Sequence, residues 1–295
     1  MATTTFTEFA QTVITNLQNR LPEYEISKQT VVKHNDIALN GVTIRRKGSD
    51  TAPTMYLDAL YDDFLNGHSV DSIVDTLMKT VRNTEPVAPI KNACDLDMSL
   101  AAIRDKLTIR LIDTELNQKY LQSHPFGFVG AGLAVVAEIN ISDDYKCVIT
   151  NELAEQYSLQ MSEVFEIARD NMVRRNPAIL MNMDTAVFGG RENILEGDGY
   201  LRTMGTLMSE GSNVYGATAI VYPGIAEKIR TLIGNYFILP SSLHELIVLP
   251  DNGSYDPAEL KSMVITANKT VVDECDILSN SVFYYGTDGV LSRVA

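Results

Sequence analysis

Gly234-Asn-Tyr-Phe-Ile-Leu-Pro-Ser-Ser-Leu-His-Glu-Leu-Ile-Val-Leu-Pro250 carries the densest signal in this 295-residue chain. Two apolar runs, Tyr236–Leu239 and Leu246–Leu249, flank a polar knot, Pro240-Ser241-Ser242-Leu243-His244-Glu245. Short apolar runs bounded by Gly and Pro read as buried strands. A polar knot between two such strands needs a purpose, because buried polar groups cost free energy unless they are paired. On one side, Ile225, Ile229, Leu232 and Ile233 form a helical face closed by Gly234. On the other, Asp256-Pro257-Ala258-Glu259 starts a helix on three signals: an N-cap Asp, Pro at N1 and Glu at N3.

The same alternation of hairpins and helices runs through the rest. Thr5-Phe6-Thr7-Glu8 reads as a capping box ahead of a helix ended by Pro22. Glu25–Lys33 and Ile37–Arg46 read as a hairpin turning at His34-Asn35-Asp36. Helices follow over Met55–Leu65 and after the cap Ser69. Residues 83–93, with Pro86 and Pro89, read as a linker. A short helix, Leu96–Asp105, precedes the alternating strand Leu107–Ile112. Phe128–Ile141 reads as one long strand paired with Lys146–Ile149 across Ser142-Asp143-Asp144. Helices are expected over Asn151–Tyr157 and Met161–Arg175, and residues 177–199 read as a second linker or packed loop. Leu201–Met208 and Ala217–Tyr222 frame a turn at Glu210-Gly211-Ser212-Asn213, and Ser281–Gly286 pairs with Val290–Val294. The order shows no strand–helix–strand regularity. It predicts an α+β fold, with antiparallel hairpins and sheets covered by amphipathic helices, and not a doubly wound parallel sheet. Three segments are expected: 1–85, 94–176 and 200–295.

Composition excludes several classes. A formal charge of −14 argues against a general phosphate-backbone binder, and the best basic run, Arg45-Arg46-Lys47, is three residues long. The three cysteines, Cys94, Cys147 and Cys275, are scattered without a Cys-x-x-Cys pair, which fits reduced thiols in a cytoplasm. No basic and apolar leader opens the sequence, and no apolar stretch is long enough for a membrane span.

From about residue 30 onward the chain resembles an uncharacterised family of clostridial, largely gut-dwelling bacteria, a domain of unknown function. The resemblance rests on Val32–Gly41, Pro53–Asp58, Thr150–Leu153, Val221–Gly224, Leu278–Tyr285 and above all Phe237–Glu245, with its Leu-Pro-Ser-Ser-x-His-Glu motif. It implies a bacterial cytoplasmic protein and no particular activity.

The chemistry-bearing residues are few. Ser242 and His244 are two apart and share a face of a strand, so a Ser–His contact is geometrically open. Glu245 points to the other face, and no Gly-x-Ser-x-Gly elbow or second zinc-binding His accompanies them. The competing reading has Ser241 and Ser242 capping backbone groups at a strand break, with His244 and Glu245 holding a turn or an interface. Asp58 and Asp62 form an i,i+4 pair of like charges, half of a divalent-cation or acid–base site, or else a solvated acidic face. Gly197-Asp198-Gly199 and Asp251-Asn252-Gly253 are turn formers without the spacing of a calcium loop. No cofactor and no metal set is evident. The expectation is a non-enzymatic module that binds a protein partner or another copy of itself. The alternative is a hydrolase or metal-dependent enzyme centred on Ser242, His244 and Glu245.

Overall fold

The computed structural model describes residues 4–48, 52, 54–83, 97–141, 146–190, 192–196, 201, 203–209 and 215–295. The linker with Pro86 and Pro89, Cys94, the turns at Ser142–Asp144 and Glu210–Asn213, and Gly197–Gly199 lie outside the described residues. The fold is α+β, and every described strand pair is antiparallel. The chain forms two compact units, residues 1–33 with 37–97, and residues 34–36 with 98–295.

The first unit opens with helix α1 (Phe6–Arg20), whose capping box is complete: Thr5 Oγ1 accepts from Glu8 N–H, and the Glu8 carboxylate accepts from Thr5 N–H. Strands β1 (Tyr24–Val32), β2 (Ala38–Arg46) and β3 (Thr54–Tyr56) form a sheet in that order. Helices α2 (Asp58–Leu65) and α3 (Val70–Asn83) follow. Phe9, Val13 and Leu17 of α1 and Ile73, Val74 and Leu77 of α3 share one core with Val42 and Ile44 of β2. This is the apolar face that the i, i+3, i+4 spacing dictates.

The second unit begins with α4 (Leu100–Ile103), β4 (Leu107–Asp113), α5 (Tyr120–Ser123), β5 (Phe126–Gly130), β6 (Leu133–Asn140) and β7 (Lys146–Val148). Strand β6 pairs with β4 along one edge, and with β5 and then β7 along the other. Helices α6 (Asn151–Gln156) and α7 (Met161–Arg175) follow, with α7 packed on this sheet. Next come β8 (Ala178–Asn182), α8 (Met183–Val187), β9 (Gly205–Ser209), a 3-10 turn over Gly216–Val221, α9 (Ile225–Ile233), β10 (Tyr236–Pro240), β11 (Leu246–Pro250), α10 (Pro257–Thr270), β12 (Phe283–Tyr285) and β13 (Leu291–Arg293). Six of these strands form a sheet ordered β13-β12-β10-β11-β9-β8. Strand β10 is central and buried throughout. Its alternation sends Phe237 and Leu239 to Leu260 and Val264 of α10. Ile238 and Pro240 face the other way, toward Leu111, Leu133 and Phe283.

The structure departs from the sequence reading in four places. Met55 and Tyr56 belong to strand β3, paired with Val42 and Gly41, so the helix starts only at Asp58. The expected single strand Phe128–Ile141 is a hairpin. Ala131 (φ 54°) and Gly132 (φ 76°) make a two-residue turn between Gly130 and Leu133, and a bulge falls at Val129. Part of the expected linker 177–199 is strand β8, whose apolar run gains its identity only by pairing with β9. Ala217–Tyr222, expected as a strand, is mostly 3-10 turn, because the chain crosses so close to the His244 carbonyl that Gly216 has no room for a Cβ.

One buried ion pair ties the two sheets of this unit together. Asp113, at the end of β4, is 1% exposed. Its carboxylate accepts from Arg293 Nη2 at 3.1 Å, from Glu115 N–H at 2.8 Å and from the Ser279 hydroxyl. Arg293, on β13, also donates through Nε to the Ala131 carbonyl at 3.1 Å and through Nη1 to Ser281 Oγ at 3.2 Å. A Cβ at Gly132 would collide with this guanidinium. Removing one partner of a buried pair leaves an uncompensated charge, so Arg293→Met is expected to cost about 3–5 kcal/mol. Glu115→Ala, at an exposed partner of Arg293, should stay within about 0.5 kcal/mol. Urea melts compared by midpoint at unchanged slope check both.

Candidate functional site

The loop between β10 and β11 uses its polar groups to hold itself. Ser242 Oγ accepts from His244 N–H at 3.0 Å, and Ser242 N–H donates to the Glu245 carbonyl at 3.2 Å. The Glu245 carboxylate takes Ser241 Oγ–H at 3.1 Å and Thr206 Oγ–H, from β9, at 2.9 Å. Leu243 is buried, its N–H on the Asp276 carbonyl and its C=O on Ala217 N–H.

The His244 imidazole faces away from Ser242. Its Nδ1 accepts from Tyr215 N–H at 3.2 Å, which leaves the proton of the neutral ring on Nε2. Nε2 points at Asp276 Oδ1, 3.4 Å away. Both nitrogens are thus engaged without the Ser242 hydroxyl. Asp58 and Asp62 belong to the first unit. The Asp58 carboxylate accepts from Asn40 N–H at 2.8 Å and from Asn40 Nδ2 at 3.2 Å, pinning the start of α2 to β2. Asp62 lies on the exposed side of α2. Among the described residues, no group of three or more His, Cys, Asp or Glu side chains gathers as a metal site.

The structure also assembles a polar cluster that the linear sequence does not reveal. Tyr215 sits in the left-handed region at φ 61°, an uncommon and costly place for a bulky residue. Its ring stacks on His244 with centroids 6.3 Å apart. The Arg110 guanidinium lies 5.2 Å from the ring centre and the Lys146 ammonium 4.6 Å. Arg110, on β4, is buried against Glu138, on β6, with Nε 3.1 Å from Oε1 but not aligned as a hydrogen bond. Arg110 Nη2 donates to the Tyr120 hydroxyl at 3.1 Å. Glu138 Oε2 has no partner.

Burial, reinforced by the Glu138 charge, pushes the Tyr215 hydroxyl up to about 12. Burial raises Tyr120 as well, and burial with Glu138 raises the Cys147 thiol, so Cys147 stays protonated and is a poor nucleophile. Burial works against the charge of Arg110, but Glu138 and the tyrosines outweigh it and raise that group. His34 is 6% exposed, with Nε2–H on the Ile277 carbonyl at 3.2 Å and Nδ1 unpartnered. Burial, with Arg110 nearby, lowers it to about 4.

A second feature lies on the same sheet as Arg110 and Glu138. Strand β5 pairs with β6 on one side, and no hydrogen bond reaches its other side among the described residues. Phe128 is 69% exposed and Phe126 46%. Beside the strand a groove of about 420 Å³ is lined by Gly127, Phe128 and Val129 of β5, by Phe165 and Arg169 of α7, and by Val221. The signal in the sequence was the uncharged run Phe126-Gly-Phe-Val-Gly130, masked because one long strand was expected to begin only at Phe128.

Two outcomes follow. Ser242→Ala and His244→Ala leave N–H groups of a partly buried loop unpaired and should each cost about 1–3 kcal/mol in urea melts. Lys261→Ala, on the half-buried flank of α10, should stay within about 0.5 kcal/mol. His34 is depressed below its ordinary 6.5, so the unfolded chain binds more protons between pH 6.5 and about 4. Its contribution is complete above pH 6.5 and is lost as pH falls through that window, up to about 3 kcal/mol. His34→Gln should flatten the slope of stability against pH there; an unchanged slope would assign the acid sensitivity elsewhere.

No helix among the described residues is long and apolar enough to cross a membrane. The chain belongs to a family of unknown function, DUF5688, whose model matches residues 6–287. No curated protein and no solved structure matches it.

Proposed function

For this member of a family without an assigned role, we propose a non-enzymatic module of the cytoplasm of a clostridial bacterium that binds a protein along the open edge of β5. The observation that carries the proposal is the contrast among strand edges in the second unit. The edge of β8 is covered by its own chain: Leu180 N–H donates to Asn193 Oδ1 and the Leu180 carbonyl accepts from Ile194 N–H. The edge of β4 meets the Thr218 hydroxyl at Leu111 N–H and Asn171 at the Leu107 carbonyl. Strands β7 and β13 are three residues long and carry Lys146 and Arg293. These are the devices by which proteins blunt edges. Strand β5 has five residues and no charge, with only the bulge at Val129 to limit pairing.

An extended segment laid along β5 gains main-chain hydrogen bonds, and its side chains enter the groove beside α7. The hydrolase alternative, centred on Ser242, His244 and Glu245, draws less support. The Ser242 oxygen accepts from His244 N–H within the loop, the Glu245 carboxylate is held by Ser241 and by Thr206 of β9, and no hydrogen bond joins Ser242 Oγ to the His244 ring.

A photo-crosslinking residue placed at Phe128, with Met263 on α10 as an equally exposed control, tests the proposal in the native cells. The expected outcome is a discrete cross-linked protein from position 128 alone. The same diffuse products from both positions would defeat the reading.

A further inference from the structure

Resting on that reading of β5 as a docking edge, we propose that the strand it accepts is β5 of a second copy of this chain, paired antiparallel about a two-fold axis at Gly127. An antiparallel pair of identical strands is related by a two-fold axis, so a strand is always topologically complementary to its own copy. The question is whether side chains and charge permit it.

Pro125 precedes the strand and the bulge falls at Val129, so the straight part of the edge is Phe126-Gly127-Phe128. Centred on Gly127, each Phe126 stands opposite the Phe128 of the other copy. This makes two aromatic cross-strand pairs from rings that are otherwise exposed to water. Gly127 on the axis presents no side chain to its counterpart, and its own sheet face is already filled by Phe165 and Val135.

Charge also selects this place. Each copy carries a formal −14, so two copies repel wherever acidic surfaces approach. Residues 125–137 contain no Asp, Glu, Lys or Arg, and they form β5, its turn and most of β6. Contact along β5 therefore keeps ionised side chains out of the paired strands. The product is a continuous sheet, β4-β6-β5 joined to β5-β6-β4 of the second copy, in which the open edges are consumed.

Sedimentation equilibrium of the full chain over a concentration series is the first test. A monomer–dimer equilibrium in the micromolar range is expected for an edge this short. Salt raised from about 50 to about 500 mM should tighten it by screening the like charge. Phe128→Asp should weaken it tenfold or more, and Met263→Asp should leave it unchanged. Register is read by mixing equal amounts of Phe126→Cys and Phe128→Cys under mild oxidation. The mixed disulfide should dominate over either homodimer, because those two positions face each other across the axis. Cys94, Cys147 and Cys275 are present in every sample and set the background.

A wild type that stays monomeric throughout the series, or a dimer indifferent to Phe128→Asp, overturns the inference. If the chain is monomeric yet cross-links a different protein from position 128, the second-copy inference fails and the docking edge stands. Absence of any specific cross-link from position 128 removes both.

Discussion

The carboxylate of Asp113 is the fixed point of the second unit. A charge this deep costs several kcal/mol in lost hydration, which is offset only by near-ideal partners. Arg293 supplies the opposite charge, and Ser279 and the Glu115 N–H fill remaining lone pairs. Once Arg293 must reach Asp113, much else follows. Strand β13 has to lie beside the end of β4, and the β5–β6 turn must present its Ala131 and Gly132 carbonyls to the guanidinium. A side chain at position 132 would have to displace that guanidinium, on backbone already in the left-handed region. The geometry of β5, and hence its open edge, is set by a contact made at the far end of the chain.

The interior around Arg110 obeys a looser rule. Arg110, Glu138, Tyr120 and Tyr215 satisfy one another incompletely, and Glu138 Oε2, Asn140 Oδ1 and His34 Nδ1 remain without partners. Unpaired buried acceptors are uncommon in folded proteins and each has a cost. That cost falls beside Tyr215, whose backbone is already strained, and beside the half-exposed His244 and Asp276. The sheet is therefore firm at the Asp113 end of β4 and imperfectly satisfied around Arg110.

What was legible in the sequence was local. Thr5 with Glu8, and Asp256 with Pro257, announce helix starts through contacts spanning a few residues, and the structure shows both caps. The β10–β11 hairpin was equally plain, because its apolar runs and flanking prolines exclude other readings. The α+β class followed from such pieces. What escaped was decided at a distance. Ala178–Asn182 has no pattern of its own and becomes a strand by pairing with β9. Ala217–Val221 has the composition of a strand but turns under the constraint at Gly216. For the site, the knot's residues were identifiable, but His244 turned out to face Tyr215 and Asp276, not Ser242. Arg110 and Glu138 are 28 positions apart, and no local spacing in the sequence pairs them.

The distance between Asp113 and Arg293 also has a meaning in time. The two are separated by 180 residues. At ordinary rates of synthesis a ribosome needs roughly 10–40 s to cover that span. Throughout that interval β4 and its hairpin neighbours exist without the guanidinium that neutralises them. The nascent sheet must keep Asp113 in water, which means that its end stays open while the six-stranded sheet is still being made. Closure of the second unit is therefore a late event, and Leu133, which faces Ile238 and Phe283 of the six-stranded sheet, stays uncovered for all of that wait.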